Sequence, residues 1–252
     1  MRGDMKASHT RMSTIKRSLA EFLVIVTGVV IGLAADRWIK GMDGRREESK
    51  YYANLVANLR SDSIRLAGNA VRADSEAAYA LELLLFVEDG RLPAGVDTIT
   101  FLRRVSSLAY FTPTDFARDT WDDLVSSGKV QAISNDSLRQ KLSAYYNGLE
   151  QLAGYERDWE AQLAEFELEA WTTQEPMGRL IFLGDSEIPA AIRSRYPALG
   201  VLAGVRNSIR SDARLHAALG QVRYIRNRSE NAYLRELSNA SRLLAEARTH
   251  ID

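Results

Sequence analysis

Hydrophobic residues follow several patterns along the chain, and the first is an uninterrupted apolar run near the amino terminus. Residues 22–35 carry no charge, and Thr27 is the only residue among them with a polar side chain. A helix in the core of a water-exposed domain would instead show a polar stripe every three or four residues. Apolar residues continue beyond Glu21 and Asp36, so residues 19–39 reach the roughly 20 residues that a transmembrane helix needs.

Three interpretations of this segment are open. In a retained membrane anchor, Glu21, Arg37 and Trp38 would lie at the membrane interfaces, where charges cost less and Trp is favoured. A cleaved signal peptide also fits, because basic residues precede the run and small residues at 32–34 suit a signal peptidase. A buried core helix is the third, because residues 22–35 alone span only about 21 Å. We expect the retained anchor.

The predicted anchor carries small residues that favour contact with another membrane helix. Gly28 and Gly32 form a small-xxx-small pair, and Ala35 follows one turn later. Small residues let two helix backbones approach closely in lipid, where packing rather than hydrophobic burial drives association. We therefore expect Gly28, Gly32 and Ala35 to form a packing face. The alternative is that glycine is simply frequent in membrane helices.

After the anchor, helical spacing of apolar residues predicts an antiparallel bundle of long helices. Gly41 and Gly44 predict a flexible joint or a short turn before its first helix, which begins near Arg45. Apolar positions on that helix include Leu55, Leu59, Val71, Ala78 and Leu85, and Gly90 should end it. The predicted fold class is all-α, with residues 1–18 as a basic tail, 19–39 as a transmembrane helix and 40–252 as an extramembrane helical domain.

Capping residues predict the remaining helices. A short helix should follow residue 97, another should lie between residues 114 and 128, and long helices should cover about 135–171 and 212–250. Residues 172–205 are less regular and contain three prolines. The expected caps and stops are Asp97 or Thr98, Thr114, Gly128, and Ser134 or Asn135.

Composition excludes several kinds of chemistry. The 252 residues include no Cys, so thiolate nucleophiles and Cys-bound metals are absent. His9, His216 and His250 lie far apart in sequence and match no metal-binding spacing. Neither a phosphate-binding glycine loop nor a serine nucleophile motif occurs. We therefore predict no catalytic residues, no metal and no cofactor, and the protein is expected not to be an enzyme.

A basic segment in the last third of the chain is a candidate binding face. Arg206, Arg210 and Arg214 recur every four residues, as on one side of a helix. This spacing fits an ordinary solvated face, or a face for an acidic protein or for lipid headgroups. The whole chain balances 33 Lys and Arg against 33 Asp and Glu, so we expect no nucleic acid as a partner.

Two stretches resemble an uncharacterised family of bacterial single-pass membrane proteins. "EFLVIVTGVVIGLAADRW", residues 21–38, resembles the family's anchor, which runs from Glu-Phe through a central Gly-Val to a Trp. "TWDDLVSSGKVQAISNDSLRQKLSAYY", residues 120–146, resembles its second signature, which ends in a Leu-Arg helix with paired Tyr. The resemblance implies an anchored helical domain of unknown function, without catalytic residues.

Location and function follow as expectations. The two flanks of the anchor carry equal numbers of Lys and Arg, so the positive-inside rule gives no orientation. Because early anchors usually leave a short tail inside, we expect a cytoplasmic amino terminus and a periplasmic domain at a bacterial inner membrane. We expect an accessory subunit of a larger membrane complex, such as an energy-converting assembly. Its partners would be lipid and other subunits, or a second copy through the anchor. The alternative is a tethered sensor or ligand-binding bundle that works with a separate transducer.

Overall fold

The structure, a computed structural model, describes residues 7–108, 111–172 and 198–250, without the side chains of 7–21, 24, 25, 165–172, 198, 199 and 201. The described chain is all-α, as predicted, with no strand in these ranges. A single turn of 3₁₀ helix, Val130–Ala132, lies between the third and fourth helices. The helices are α1 (Ala7–Asp89), α2 (Thr98–Ser107), α3 (Asp119–Ser126), α4 (Asp136–Thr172), α5 (Ala198–Ser211) and α6 (Ala213–Arg248).

Three long helices build the bundle, and side-chain contacts fix their directions. Tyr52 of α1 stacks on His250, just beyond the end of α6, with ring centroids 5.0 Å apart. Further along α1, Glu76 pairs with Arg226, nearer the start of α6, so α1 and α6 are antiparallel. Lys141 bonds Glu246 and Gln221 bonds Gln162, so α4 is also antiparallel to α6. Helices α1 and α4 therefore run parallel, as in an up-up-down bundle.

Helix α1 is continuous through the predicted joint. It covers 83 residues, or about 125 Å, and includes both Gly41 and Gly44. A glycine within a helix costs only about 1 kcal/mol relative to Ala, so good helix formers on both sides can maintain the helix. Lys40 bonds Asp36 one turn before it at 2.8 Å, which supports the same segment. The prediction of a flexible joint or turn was wrong.

The amino-terminal part of α1 extends beyond the bundle with its apolar side chains exposed. Trp38 is 66% exposed and Phe22 is 62% exposed. Among the residues whose side chains are described, no helix holds an apolar stretch long enough to cross a membrane. Glu21, Val24 and Ile25 of the predicted anchor lie outside that set. The exposed large apolar residues of this part are Phe22, Leu23, Val26, Val29, Val30, Ile31, Leu33, Trp38 and Ile39.

Helix α1 buries only part of the apolar face predicted for it. Leu55 and Leu59 are fully buried, as expected. Val71, however, is 69% exposed and Leu85 is 54% exposed, and Ala78 is also exposed. The apolar spacing therefore predicts the helix correctly, but these three residues lie outside the core. These apolar side chains lie on the outer side of α1 and have no packing partner within the described part of the chain.

Most of the predicted caps and stops are confirmed. Asp97 accepts bonds from the backbone N–H groups of residues 99 and 100 and starts α2. Asn135 caps α4 by accepting from Leu138 N at 3.0 Å. Asp212 caps α6 in the same way. Gly128 follows α3 with a φ of +70°, which suits the glycine of a helix stop.

The end of α1 is held by an arginine from α5. Gly90 has a φ of +72°, and its N–H bonds the carbonyl of Phe86 at 2.8 Å, as the predicted stop requires. Arg206 then donates to the carbonyls of Val87 and Glu88, at 3.0 and 2.9 Å. These bonds satisfy carbonyl groups that every helix end leaves without an intrahelical partner. Arg206 thus joins α5 to the end of α1.

Replacing Gly90 with Ala tests this contact. A Cβ there would lie 2.8 Å from the guanidinium carbon of Arg206, in addition to the strain of the left-handed backbone. Gly95→Ala is the matched control, because Gly95 has a φ of +76° and no atom within 4 Å of its Cβ position. By chemical denaturation we expect both variants to lose about 1 kcal/mol from backbone strain and Gly90→Ala to lose more. Equal losses would show that the Arg206 contact contributes nothing.

Candidate functional site

Charged side chains lie deep inside the bundle, where charge is costly unless it is paired or hydrogen-bonded. They come from α1, α4 and α6 and surround a non-helical segment, residues 111–118. The buried polar residues are Asp62, Glu76, Glu156, Arg226, Ser229 and Glu236. These residues form the polar centre, the most chemically distinct site in the described chain.

Glu156 of α4 is fully buried and accepts three hydrogen bonds. Thr114 donates its backbone N–H to one carboxylate oxygen at 2.8 Å and its hydroxyl to the other at 2.5 Å. Tyr233 of α6 donates to that second oxygen at 2.8 Å. Asn69 of α1 donates to the Thr114 hydroxyl oxygen at 2.6 Å. Glu156 therefore connects α4, α6 and, through Thr114, α1.

The role of Thr114 differs from the predicted helix cap. Helix α3 begins at Asp119, and its first turn has no side-chain cap. A helix cap uses its side-chain oxygen to accept bonds from backbone N–H groups. The Thr114 hydroxyl oxygen instead accepts from Asn69, and its proton is donated to the buried Glu156. The prediction of a Thr114 cap was wrong, since a tertiary contact with a buried carboxylate outweighs the local capping preference.

Asp62 holds the same segment from the opposite side. Its two oxygens accept from Ala117 N at 2.8 Å and from the Tyr145 hydroxyl at 3.2 Å. Burial raises the pKa of Asp62, and these two hydrogen bonds oppose that rise. Burial, together with the Asp62 charge, raises the pKa of Tyr145 well above its usual range. Tyr145 therefore remains a protonated donor.

Glu76 and Arg226 form a buried ion pair between α1 and α6. Arg226 Nε lies 3.0 Å from a carboxylate oxygen of Glu76, and both side chains are almost fully buried. Arg226 also donates to the Leu108 carbonyl at 3.4 Å and lies 5.3 Å from the Phe111 ring centroid. Burial raises the pKa of Glu76 to about 7, because loss of water outweighs the attraction of Arg226 and Arg72. Burial lowers the pKa of Arg226.

The space around this ion pair is very small. A cavity of about 20 Å³ adjoins Glu76 and Arg226, together with Asn69 and Tyr233. That volume suits roughly one water molecule, which needs polar partners of this kind. The polar centre is thus closed by its own side chains, and its geometry suits holding helices and residues 111–118 together.

A larger groove lies on the surface between α4 and α6, with a volume of about 320 Å³. Lys141 bridges its sides by bonding Glu246 at 2.8 Å. Arg242 donates to Asn239, which donates in turn to the buried Glu236 at 2.9 Å. Its charged groups therefore already have partners within the protein. The groove is lined by Lys141, Ala144, Tyr145, Asn239, Arg242, Leu243 and Glu246.

The structure places the predicted packing face on one side of a helix. Gly28, Gly32 and Ala35 lie one turn apart on α1, and a Cβ added at either glycine would meet nothing within 4 Å. Among the predicted interface residues, Arg37 and Trp38 are exposed on the same helix, and Glu21 lies outside the described side chains.

The predicted basic face does not form as one helical stripe. Arg206 and Arg210 belong to α5, but Arg214 belongs to α6, because Asp212 breaks the helix with extended backbone. Arg206 is tied to the carbonyls at the end of α1. Arg210 and Arg214 remain exposed. The prediction that these three arginines share a continuous face was therefore wrong.

The polar centre is not among the sites predicted from the sequence, although the sequence contains a signal for buried charge. Asp62 stands where the apolar spacing of Leu59 and Leu66 predicts an apolar residue, and Glu156 stands likewise between Leu152 and Trp159. A charge inside an apolar stripe predicts a buried, partnered group. Sequence does not show the partners, which come from other helices. Within the described ranges, no three His, Cys, Asp or Glu side chains are arranged to hold a metal ion.

Comparisons of the chain with protein-family models, curated proteins and solved structures find no match. The resemblance of residues 21–38 and 120–146 to a membrane-protein family therefore stays a prediction.

Glu156→Gln tests the polar centre. The amide of Gln must turn its NH₂ group towards Thr114 or Tyr233, which are donors themselves, so a buried donor is left without an acceptor. We expect a loss of about 3 kcal/mol in the free energy of unfolding, measured by urea denaturation. Tyr233→Phe removes only one of the three bonds and should cost less. Glu150→Gln, an exposed change on the same helix, is the control. A loss no larger than that of the control would contradict this role.

The raised pKa of Glu76 predicts a specific pH dependence. The folded protein holds the Glu76 proton up to about pH 7, whereas the unfolded chain releases it near 4.5. The contribution of Glu76 to stability is therefore fully present below pH 4.5 and is lost as the pH rises through 7. Glu76→Gln, which mimics the protonated form, should lose less stability over this range than the unaltered protein. A difference between the two proteins that stays constant with pH would rule out this shift.

Proposed function

We propose that this protein is a membrane-anchored, non-enzymatic accessory subunit of a larger membrane complex. One observation carries the proposal. Helix α1 is a continuous 83-residue helix whose first part exposes large apolar side chains and whose second part belongs to the bundle core. Exposed apolar residues in such number and continuity are costly in water and favourable in lipid.

The anchor also offers a contact surface. Large apolar side chains cover most of the exposed helix, whereas Gly28 and Gly32 leave open space on one side. In lipid such a gap favours close approach of a second helix. We expect this helix to come from another subunit or from a second copy of the chain.

The bundle supports a structural role more than a catalytic one. The carboxylate oxygens of Asp62 and Glu156 already accept hydrogen bonds from backbone and hydroxyl groups of the protein itself. The cavity beside Glu76 has a volume of only about 20 Å³, which leaves little room for a substrate. The groove of about 320 Å³ between α4 and α6 favours a second candidate, a tethered ligand-binding bundle.

Replacing both glycines with Leu tests the proposal. Gly28→Leu with Gly32→Leu should keep the chain in the membrane pellet after alkaline carbonate washing, because Leu is apolar. The same variant should lose its co-purifying subunits in mild detergent, since the side chains block close approach. Val26→Leu with Val30→Leu enlarges the opposite face of the helix and should retain the partners.

Release of the unaltered chain by carbonate would overturn the anchor. Retention of every partner by the double Leu variant would exclude the glycine face as the contact. If the unaltered protein brings down no partner, the accessory role falls and the ligand-binding bundle becomes the better proposal.

A further inference from the structure

Helix α1 is apolar on two opposite sides. One side builds the core through residues such as Leu55, Leu59 and Leu66. The opposite side carries no charged residue at the central positions of residues 57–78, where Ile64 is 68% exposed and Val71 is 69% exposed. We call this second side the outer stripe. Its residues alternate at spacings of four and three: Ala57, Ser61, Ile64, Gly68, Val71, Ser75 and Ala78.

This spacing is that of a helix-pairing seam. Alternation of three and four residues keeps a stripe turned towards a partner helix. Ser75 bonds its hydroxyl back to the Val71 carbonyl at 2.9 Å, so it needs no water on the stripe. A Cβ added at Gly68 would meet nothing within 4 Å, which leaves room for close approach. The outer stripe therefore has the shape and composition of a contact surface.

The outer stripe points in the same direction as Gly28, Gly32 and Ala35, and the exposed Arg46 and Lys50 lie on that side of α1 between them. At about 100° per residue along a straight helix, Gly28, Gly32 and Ala35 fall within about 40° of Ala57. Because α1 is unbroken between them, both faces point in the same direction. A partner that packs against the glycines is therefore aligned with the outer stripe, which begins about 27 Å beyond Ile39 and ends about 58 Å beyond it.

Charges beside the outer stripe decide which partner fits. Arg60 and Arg65 flank it on opposite sides; both are exposed and have no ion pair within the described chain. Arg72 is a third exposed arginine beside the stripe. Asp74 is the exposed acidic residue beside it, so the flanks are mainly basic. In a parallel pair of identical helices, Arg60 of one copy would lie opposite Arg65 of the other, and like charges there destabilise the pair. A helix with acidic flanks fits instead.

We propose that the outer stripe binds an extramembrane helix of a different membrane-anchored chain, one with small apolar residues on its seam and acidic residues on its flanks. This helix continues from the membrane segment that packs on Gly28 and Gly32, so the inference rests on the proposed function. The same partner then contacts α1 at two places, at the glycine face and again along the outer stripe.

Site-specific photo-crosslinking in the native membrane tests the inference with the full chain. A photoreactive amino acid is placed at Val71, at Gly32 or, as a control, at Tyr224, which is 55% exposed on α6. We expect Val71 and Gly32 to yield an adduct with the same partner and Tyr224 to yield none. Mass spectrometry of the Val71 adduct should identify a helix with acidic flanks.

Charge reversal tests the recognition itself. Arg60→Glu with Arg65→Glu should lower the Val71 adduct by about tenfold, the effect of roughly 1.4 kcal/mol of lost attraction. Arg60→Lys with Arg65→Lys should preserve it. All four changes are on the surface, and circular dichroism should show unchanged helicity. An adduct that is insensitive to charge reversal would overturn the inference.

The other outcomes separate this inference from the proposed function. An adduct from Gly32 without one from Val71, or with a different protein at Val71, overturns the inference and leaves the accessory role standing. A Val71 adduct with a second copy of this chain also overturns the inference. If neither position yields an adduct, the inference and the accessory role fall together.

Discussion

The packing of α1 against α6 is the constraint on which the rest of the bundle depends. These two helices share the longest contact in the described chain, from the Tyr52 stack on His250 to the Glu76 pair with Arg226. Helix α4 then completes the bundle beside them, and α5 is joined to the end of α1 by Arg206. Because α1 contacts α2, α3 and α5 and bonds α4 through Asp62 and Tyr145, its register against α6 positions α2, α3 and the segment between them.

The buried charged groups contribute more to the alignment of the helices against one another than to the overall stability of the bundle. A buried ion pair regains little more than its desolvation cost, but a partner left alone in the interior is strongly unfavourable. Sliding α1 by one turn against α6 would separate Glu76 from Arg226, and sliding α4 would separate Glu156 from Thr114 and Tyr233. Apolar contacts such as Leu66 tolerate such shifts more easily, since one aliphatic surface resembles another.

The local signals in the sequence predict the helices well and their contacts poorly. Asp97 and Asn135 cap helices as expected, and Asp212 caps the helix that was expected to start there, because a cap bonds backbone within three residues of itself. Thr114 fails as a cap because its hydroxyl accepts from Asn69 and donates to Glu156, which lie 45 and 42 residues away. The polar centre likewise depends on α1, α4 and α6 meeting. Gly41 and Gly44 do not interrupt α1, because a glycine weakens a helix by too little to end it alone.

The continuity of α1 through Gly41 and Gly44 has a mechanical consequence. Residues 40–46 connect the exposed apolar segment of α1 to the bundle by a single helix. Among the described side chains of α1, Glu47 is the first that bonds another part of the bundle, through Lys129 at 2.8 Å. A flexible joint there would let the bundle rotate freely relative to that apolar segment. A helix instead fixes the angle between the glycine face at Gly28 and the outer stripe at Ile64, since each residue adds a set rotation of about 100°. The orientation of the bundle relative to residues 22–39 is therefore set by the backbone hydrogen bonds of α1 rather than by side-chain packing.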